Sequence, residues 1–397
     1  MQVYVDNAAT TKMSDKAIEA MMPYMKEVYG NPSSLHSVGL NAKAALDDAR
    51  QRIANCIGCR ADEITFTSGG SEADNQALVS AAYLGKKKGK THLVSTMIEH
   101  HAILHTLDRL KKEGFEVTLL KPSETGMITA EQVREAITDK TAIVSVMYAN
   151  NEIGTVMPIG EIGAVCKEKG VLFHTDAVQA VGHLPINVVD ENIDMLSCSA
   201  HKFHGPKGIG ILYAKKGIRL TNIINGGGQE KGKRAGTENI PAIMGMAAAM
   251  EEAIENMETT NAKMIKVRDR LIEGIGEIPH SVLNGEREQR LPGNVHFCFE
   301  GIEGESLLLL LDDKGIYTSS GSACASGDLD PSHVLMAIGR PHEIAHGSVR
   351  ISLDGENTME DAEYIIENIK EIVEYLRNIS PVWHDLMDHK MEFTIKD

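Results

Sequence analysis

The chain has little of three things: long apolar runs, cysteine and positive charge. No uninterrupted apolar run is longer than Leu307–Leu311, which is far too short to span a bilayer. Six cysteines in 397 residues do not make a disulfide framework. The N-terminus has no basic segment followed by an apolar one, so we expect no secretory signal. The net charge of −16 argues against a general nucleic-acid binder, which needs a basic face. These absences predict a cytoplasmic protein that binds neither nucleic acid nor membrane.

Apolar strand candidates alternate with helix-like stretches through the first two thirds of the chain. A length of 397 residues allows two or three domains and a sizeable core. Stretches with helical spacing, such as Glu72–Lys88 and Ile159–Lys169, separate most of the strand candidates. Such repeated units favour a mainly parallel sheet that is covered by helices on both faces. The strand candidates are Ile64–Thr67, His92–Thr96, Glu116–Leu120, Ala142–Tyr148, Val171–Thr175, Met195–Ser199 and Ile209–Tyr213.

The pattern changes near residue 256. Before it, the glycine-rich polar stretch Gly226–Gly236 predicts an exposed loop, which a helix-compatible run follows. After it, a long helical stretch leads to an alternating strand at Asn294–Phe299, a helix at Gly304–Lys314 and a strand around Ile351, an α+β pattern. We therefore predict an N-terminal segment (1–14), a large α/β domain (15–255), a small α+β domain (256–383) and a tail (384–397) whose polar composition suits a disordered segment.

Two segments far apart in the sequence have compositions that favour catalysis. Ser199–Gly208 places Lys202 just after an apolar strand candidate, among hydroxyl, imidazole and glycine neighbours, where an amine can lose its proton and form a Schiff base. Ligands of open parallel sheets bind beyond the strand carboxyl ends, although one more solvated lysine is the alternative. Ser319–Gly327 surrounds Cys324 with small residues, as a reactive rather than a structural thiol requires. Together the two segments indicate pyridoxal phosphate chemistry on a substrate whose sulfur passes to Cys324.

With these two segments, the opening Tyr4–Thr11 (Tyr-Val-Asp-Asn-Ala-Ala-Thr-Thr) resembles the cysteine desulfurases of the NifS/IscS type, which are class-V aminotransferases. The resemblance runs from Tyr4 to Arg377, with the motifs in the expected order. It implies the aspartate-aminotransferase-like fold, fold type I, in which a large domain with a mostly parallel seven-stranded sheet is joined to a smaller α+β domain. It also implies pyridoxal 5′-phosphate as the cofactor and a homodimer with shared sites.

The resemblance assigns cofactor contacts to residues at strand ends and helix starts. Lys202 becomes the Schiff-base lysine. Asp176 ends a strand candidate and would pair with the protonated pyridine nitrogen, although without the resemblance a capping aspartate explains it equally well. Gln179, one helical turn on, would donate to the pyridine 3-oxygen. Gly70 and Ser71 start a helix whose N–H groups suit a phosphate, although a Ser-Glu pair is also a plain N-cap and the family usually has Thr instead of this Ser.

Further residues complete the expected cofactor site. Ser199 and His201 would complete the phosphate shell, and Thr237 would reach the phosphate of the other subunit. His100 would stack on the pyridine ring and act as an acid or base, both of which an imidazole can do. A structural histidine is the alternative, and the adjacent His101 is easily mistaken for it, but the Glu-His order favours His100.

Arg350 is the expected anchor for the substrate. A guanidinium matches a carboxylate bidentately, so this strand arginine suits an amino-acid carboxylate, although a surface arginine is the alternative. By resemblance, Asn31 would orient the same group, and Asn151 would contact the substrate or the cofactor oxygen. The sequence Leu353–Gly355 departs from the family, which often has a glycine directly after the strand, and we expect this departure to alter only a turn.

Two other motifs suggest different chemistry. Cys56 and Cys59 form Cys-x-x-Cys, but no second pair accompanies them, so we favour two ordinary cysteines over a redox or zinc motif. The segment His342–His346 matches the His-Glu-x-x-His pattern of zinc proteases. A proline and a glycine bracket it closely and leave little more than one helical turn to align the imidazoles. We therefore expect no resident metal, while Cys324 can ligate an iron–sulfur cluster transiently.

The resemblance implies a reaction and its partners. Lys202 removes the α-proton of L-cysteine, Cys324 attacks the substrate sulfur, and the products are L-alanine and a persulfide on Cys324. The persulfide then passes to an acceptor, either an iron–sulfur scaffold protein or a tRNA-thiolation protein, and the sequence leaves the choice open. One alternative is a selenocysteine lyase, which shares the fold and the cofactor. The other is a non-catalytic scaffold that carries pyridoxal phosphate.

Overall fold

The fold is built around one large and one small sheet, each covered by helices. The computed structural model describes residues 1–320 and 331–396. Its strands are β1 (Val3–Tyr4), β2 (Ile64–Thr67), β3 (His92–Thr96), β4 (Glu116–Leu120), β5 (Thr141–Ser145), β6 (Leu172–Asp176), β7 (Met195–Ser199), β8 (Gly210–Ala214), β9 (Ser281–Leu283), β10 (Asn294–Phe299), β11 (Ile316–Tyr317) and β12 (Ser348–Ser352). Its helices are α1 (Asp15–Lys26), α2 (Ser37–Ile57), α3 (Gly70–Lys86), α4 (His101–Lys112), α5 (Ala130–Ala136), α6 (Ile159–Lys169), α7 (Ile240–Glu255), α8 (Met257–Gly276), α9 (Gly304–Asp313), α10 (His333–Ala337), α11 (His342–His346), α12 (Met359–Ile379) and α13 (Pro381–Met387). None of these helices is long and apolar enough to cross a bilayer.

The large sheet has seven strands in the order β2-β8-β7-β6-β5-β3-β4. All pairs are parallel except the two that β8 makes, so the sheet is mostly parallel, as predicted. Each predicted strand is present, and the largest difference lies in β5. Its regular ladder ends at Ser145. The amides of Val146 and Tyr148 still donate to two carbonyl oxygens of β6, those of His174 and Asp176.

Helices cover both faces of the large sheet. Neighbouring residues on one strand, such as Leu93 and Val94 of β3, belong to different apolar cores because successive side chains point to opposite faces. On one face α3 and α4 bury residues such as Ala77 and Leu107. On the other face α2, α6 and α7 bury residues such as Ile53. The predicted α/β architecture of fold type I is therefore confirmed.

The small sheet has three antiparallel strands in the order β12-β10-β9. Helices α8, α9 and α12 pack on it through residues such as Leu271, Leu307 and Ile369. Arg350 lies on β12, opposite His296 of β10. Its neighbours Val349 and Ile351 point into the core that these helices cover, so the alternation of β12 turns Arg350 to the other face.

The N-terminal segment runs along the edge of the small sheet. Strand β1 pairs with β11 in parallel, and the amide of Val5 donates to the carbonyl oxygen of Tyr317. The amide of Asn7 then donates to the carbonyl oxygen of Ser352, the last residue of β12. These bonds deliver the residues after Asp6 to the space between the two sheets.

The residues after α13 pack on the small sheet. The ring of Phe393 stacks on that of His280, with centroids 3.7 Å apart. The amides of Thr394 and Ile395 donate to the carboxylate of Glu300 at 2.8 and 2.9 Å. These contacts tie residues 393–395 to the turn that follows β10.

Candidate active site

The polar residues of the site follow four neighbouring parallel strands. His100 comes after β3, Asn151 after β5 and Lys202 after β7, while Asp176 is the last residue of β6. Because the carboxyl ends of parallel strands meet at one edge of a sheet, these residues converge. They line one cavity of about 340 Å³, a volume within the range of small-molecule sites.

Most of the predicted site residues line this cavity. Ser199 lies beside it, because its Oγ is 3.6 Å from the place where a Cβ on Gly69 would sit. Asn31 and Thr237 do not line it, and the side chain of Asn31 instead accepts a hydrogen bond from the amide of Ser33. Cys324 lies outside the described residues. The predicted residues in the cavity wall are Gly70, Ser71, His100, Asn151, Asp176, Gln179, His201, Lys202 and Arg350.

A glycine turn at the start of α3 forms one end of the cavity. Gly69 has φ +153° and ψ −176°, a conformation essentially restricted to glycine. A Cβ on Gly70 would lie 2.6 Å from Cγ2 of Val178, so this position also excludes a side chain. The turn leaves the first N–H groups of α3 and the hydroxyl of Ser71 at the cavity wall, where they suit an anionic group.

The N-terminal segment holds Lys202 in the cavity wall. Its Nζ donates to the carbonyl oxygens of Ala8 and Ala9 at 2.5 and 2.8 Å. The side-chain amide of Gln179 donates to the same carbonyl of Ala8 at 3.0 Å. The N-terminal segment therefore holds the amine of Lys202 and the amide of Gln179 next to each other, although it is far from both in the sequence.

Buried acids lie beneath the cavity. Asp176 is 6% exposed and accepts one hydrogen bond, at 2.9 Å, from the amide of Val178. Asp74, on α3, is 1% exposed, and its Oδ1 accepts no hydrogen bond within the described residues. Burial raises the pKa of both carboxyl groups, that of Asp74 well above its usual range. A positively charged group in the cavity would relieve the cost of an ionised Asp176.

The neighbouring His174 does not supply that positive charge. Burial lowers the pKa of this residue of β6 to about 3, so its ring is neutral near pH 7. Its Nε2 lies 3.0 Å from Oγ of Ser197 and 3.7 Å from Oδ1 of Asp74. A positive charge that stabilises an ionised Asp176 must therefore come from Lys202 or from a bound ligand.

His100 caps the start of α4. Its Nδ1 accepts a hydrogen bond from the amide of Ala102 at 3.1 Å. A nitrogen that accepts a hydrogen bond carries no proton, so while this bond stands the ring carries its proton on Nε2. In this state His100 is a hydrogen-bond donor, and acceptance of a second proton requires the loss of the capping bond.

Arg350 forms the opposite end of the cavity. Its side chain is 2% exposed, and Nη2 lies 2.9 Å from Oδ1 of Asp6. Its Nη1 donates to the carbonyl oxygen of Asn151 at 3.2 Å. A guanidinium that is buried and held on two sides is suited to recognise a carboxylate.

The sequence did not predict four acidic or imidazole side chains at the site: Asp6, Asp74, Glu152 and His333. Asp74 lies four residues after Gly70, so their shared helix face was a signal, and Glu152 directly follows Asn151. Nothing in the sequence brings residue 333 to this place. There the hydroxyl of Ser332 donates a short hydrogen bond to Glu152, and Nε2 of His333 lies 3.0 Å from the carbonyl oxygen of Glu99.

The chain also matches known proteins. It matches the family Aminotransferase class-V over residues 3–365. It is 55% identical over 394 residues to the cysteine desulfurase IscS of Clostridium botulinum strain Hall, an alignment that covers 98% of this chain and 99% of that relative. The chain belongs to the cysteine desulfurases of the class-V aminotransferase family.

Solved structures of this family support the same assignment. One named NifS-like protein has a TM-score of 0.89 at 38% identity, covering 95% of this chain and 100% of that one. Another, SspA in complex with cysteine, has a TM-score of 0.78 at 38% identity, covering 88% and 98%. The fold, the enzyme class and the cofactor that the sequence predicts, pyridoxal 5′-phosphate, are thereby confirmed.

The cavity of this desulfurase fits its cofactor. The glycine turn before α3 suits a phosphate, because it places the first N–H groups of the helix at the cavity wall, where the contact with Val178 leaves no room for a side chain on Gly70. The buried carboxyl of Asp176 suits a protonated ring nitrogen, which would supply the missing positive charge. Lys202 lies in the same wall and supplies the amine for an aldehyde.

The two other sequence motifs lie away from this cavity. Cys56 and Cys59 are half-buried free thiols, and burial raises their pKa values to about 11 and about 12, so neither is an activated nucleophile. The segment His342–His346 forms the five-residue helix α11. Among the described residues no group of three or more His, Cys, Asp or Glu side chains is arranged to hold a metal ion.

Proposed function

We propose that this enzyme transfers the sulfur of L-cysteine to Cys324, releases L-alanine, and passes the resulting persulfide to an acceptor protein. The observation that carries the proposal is the convergence of Lys202, Asp176 and Arg350 in one cavity. An amine, an acid partner for a ring nitrogen and a carboxylate anchor are the three groups that amino-acid chemistry on this cofactor requires. The solved SspA structure, which contains cysteine, supports the choice of substrate.

Each end of the cavity has a distinct task. Pyridoxal 5′-phosphate, when bound, supplies the aldehyde that captures an amine and the ring that stores an electron pair. Lys202 holds and moves the α-proton at Nζ, and Asp176 would keep the ring nitrogen of the bound cofactor protonated. Ser71 and the first N–H groups of α3 would hold the phosphate, with Ser199 and His201 beside them. Burial lowers the pKa of His201 to about 4, so this ring is a neutral partner.

The remaining contacts orient the cofactor oxygen and the substrate. Gln179 has one N–H bonded to Ala8 and a second with which to reach the 3-oxygen of the ring. His100 lines the cavity, where its ring would stack on that of the bound cofactor and its Nε2 would donate a hydrogen bond. Arg350 binds the α-carboxylate of the substrate, and Asn151 lies beside it.

The transfer step conserves atoms and electrons. The thiolate of Cys324 forms an S–S bond to the substrate sulfur while the C–S bond of the substrate breaks. The electron pair of that bond stays with the carbon skeleton, which gains a proton and leaves as alanine. Cys324 keeps the sulfur as a persulfide, which an acceptor thiolate removes by a second exchange.

We extend the proposal to a cytoplasmic homodimer in which Thr237 reaches the phosphate of the neighbouring subunit, and in which Asn31 helps to orient the substrate. Neither side chain lines the cavity of its own chain. Large apolar side chains near Asn31 are strongly exposed, 92% for Leu35 and 78% for Tyr29, as expected of an interface. The five described cysteines are free thiols, which supports a reducing compartment. An iron–sulfur scaffold is the acceptor that the name IscS of the relatives favours.

The test is the variant Cys324→Ser. The cofactor steps need no thiol, whereas sulfur transfer does, so we expect normal cofactor content and normal binding of L-cysteine. Alanine release should fall by about 100-fold or more. The measurements are the cofactor absorbance, alanine release and mass spectrometry of the chain after exposure to L-cysteine.

The matched control is Cys59→Ser, which removes a half-buried thiol with a raised pKa. This variant should release alanine at the normal rate and still gain one sulfur. Near-normal alanine release by Cys324→Ser, or a persulfide found chiefly on another cysteine, would contradict the proposed function.

A further inference from the structure

A short N-terminal segment, Asp6–Ala9, contacts both ends of the cavity. At one end its carbonyl oxygens, those of Ala8 and Ala9, accept hydrogen bonds from Nζ of Lys202. At the other end the carboxylate of Asp6 pairs with Nη2 of Arg350 at 2.9 Å. Four consecutive residues therefore span from the amine to the guanidinium. We call Asp6–Ala9 the strap.

The strap has a defined shape. The amide of Ala9 donates to the carbonyl oxygen of Asp6 at 3.0 Å and closes a turn. The side-chain amide of Asn7 and the backbone amide of Ala8 donate to the carbonyl and the hydroxyl of Ser352, both at 2.9 Å. Because Ser352 is on the same strand as Arg350, these bonds fix the strap to the strand that carries the guanidinium.

The ion pair between Asp6 and Arg350 is placed behind the cavity, since Arg350 lines the cavity and Asp6 does not. The two side chains are 21% and 2% exposed, so the pair is largely shielded from water. A buried guanidinium needs a partner of opposite charge, and a planar fork held along one edge has little freedom left to turn. A carboxylate that arrives from the cavity then meets an anchor that is already oriented.

We propose that Asp6 is the positioning residue for Arg350, and that the strap thereby sets the distance between the substrate carboxylate and the amine of Lys202. An amino acid carries its carboxylate and its α-proton on one carbon, so a substrate held at Arg350 meets the Nζ that takes the proton only if the spacing between Arg350 and Lys202 is fixed. This inference rests on the proposed function in one respect, the role of Arg350 as the carboxylate anchor.

The test compares two ligands that differ in the carboxylate. L-Alanine has the amine and the carboxylate but no thiol, and ethylamine has the amine alone. In Asp6→Asn holoenzyme, which keeps the acceptor oxygen and loses the charge, the Kd of L-alanine should rise about tenfold. The Kd of ethylamine should stay within about twofold, because it does not use Arg350. Both constants are measured by calorimetry and by the change in cofactor absorbance.

Kinetics with L-cysteine provide the second readout. The KM of Asp6→Asn should rise about tenfold, with kcat within about threefold of the wild-type value, because Asp6 acts on binding through Arg350. The variant Asp6→Glu restores the charge and should recover most of the alanine affinity. The matched control is Asp354→Asn, since Asp354 and Asp6 both raise the pKa of Tyr4, but Asp354 accepts its hydrogen bond from the amide of Glu356.

Three results would overturn the inference. The first is an equal loss of L-alanine and ethylamine affinity, which indicates a general structural role for Asp6. The second is tighter binding of L-alanine, which indicates that Asp6 competes with the substrate. The third is an equal effect of Asp354→Asn. If wild-type enzyme binds L-alanine through Asp6 and Arg350 but releases no alanine from L-cysteine, the proposed function fails while the inference stands.

Discussion

The two ends of the cavity are built in different ways. At the cofactor end, the side chains come from strand ends and helix starts of one sheet: Asp176, Lys202, His100 and Ser71. The elements that carry these residues bring them together, and the carbonyl oxygens of Ala8 and Ala9 then hold the amine of Lys202. The acids of this end, Asp176 among them, are buried without a cationic side chain bonded to them in the described residues.

At the anchor end, the side chains come from segments that are distant in sequence. Arg350 lies on the small sheet, Asp6 on the N-terminal strap and Asn151 in the loop that follows β5 of the large sheet. Here the charge is balanced within the protein by the pair of Asp6 and Arg350. The cofactor end therefore depends on a bound ligand for its charge balance, whereas the anchor end is oriented before the ligand arrives.

The largest expected effect is that of Lys202→Ala. Because one amine serves both the attachment of the cofactor and the movement of the α-proton, turnover should fall by about 1,000-fold or more. Borohydride reduction followed by mass spectrometry should find no cofactor attached to the chain. The control Lys207→Ala removes an exposed lysine of the same segment and should change neither result. Attachment of the cofactor to Lys202→Ala would assign the Schiff base to another lysine.

The next effect separates the two ends. Arg350→Lys keeps the charge but loses the planar fork, so kcat/KM for L-cysteine should fall about 100-fold. Cofactor affinity, measured by reconstitution of the apoenzyme, should stay within about twofold, because Arg350 lies at the other end. The control is Arg340→Lys, whose arginine bonds Asn284 instead. Loss of the cofactor from Arg350→Lys would show that the two ends are not independent.

The two ends also differ in how well their residues can be predicted from the sequence. Strand-end residues such as Lys202 and Asp176 can be found because a parallel sheet brings consecutive strand ends to one edge, a rule that needs only the order of the elements. The predicted strands of the large sheet are all present, and the predicted bounds of α6 and β10 agree with the structure. Local patterns of apolar residues specify local elements.

The anchor end shows why the rest cannot be predicted in this way. The bond between Asp6 and Arg350 joins residues that are 344 positions apart, and no local pattern records such a pairing. Ser332 and Glu152 likewise meet across 180 positions. Only the resemblance of the segment Tyr4–Thr11 to the family indicated that the N-terminus matters, and it assigned no partner to Asp6. Tertiary contacts of this kind follow from packing and not from periodicity.

The smallest expected effect is on the pH dependence of stability, through a buried acid at the cofactor end. Glu99 precedes His100 and is completely buried. Its Oε1 accepts hydrogen bonds from the hydroxyl of Thr96 and the amide of Met147, at 2.8 and 3.0 Å. Its Oε2 accepts none within the described residues. Burial raises the pKa of this carboxyl to about 8.

The direction of the pH dependence follows from that raised pKa. Between pH 4.5, the value for an unperturbed glutamate, and pH 8, the folded protein holds a proton that the unfolded chain has released. The contribution of Glu99 to stability is therefore complete below pH 4.5 and is lost as the pH rises towards 8. The variant Glu99→Gln has no proton to lose, so its stability should fall less over this window.

The measurement is the difference in Tm between Glu99→Gln and wild-type holoenzyme from pH 4.5 to 8.5, at one fixed concentration of cofactor. The difference should change in favour of the variant as the pH rises, by about 5 °C or more in total. The control is Glu113→Gln, because Glu113 is exposed and its bonds to Tyr83 and Arg109 lower its pKa, the opposite direction to the shift of Glu99. A difference that stays constant with pH would show that Glu99 releases its proton as readily in the folded protein as in the unfolded chain, and that burial at the cofactor end does not keep this carboxyl neutral.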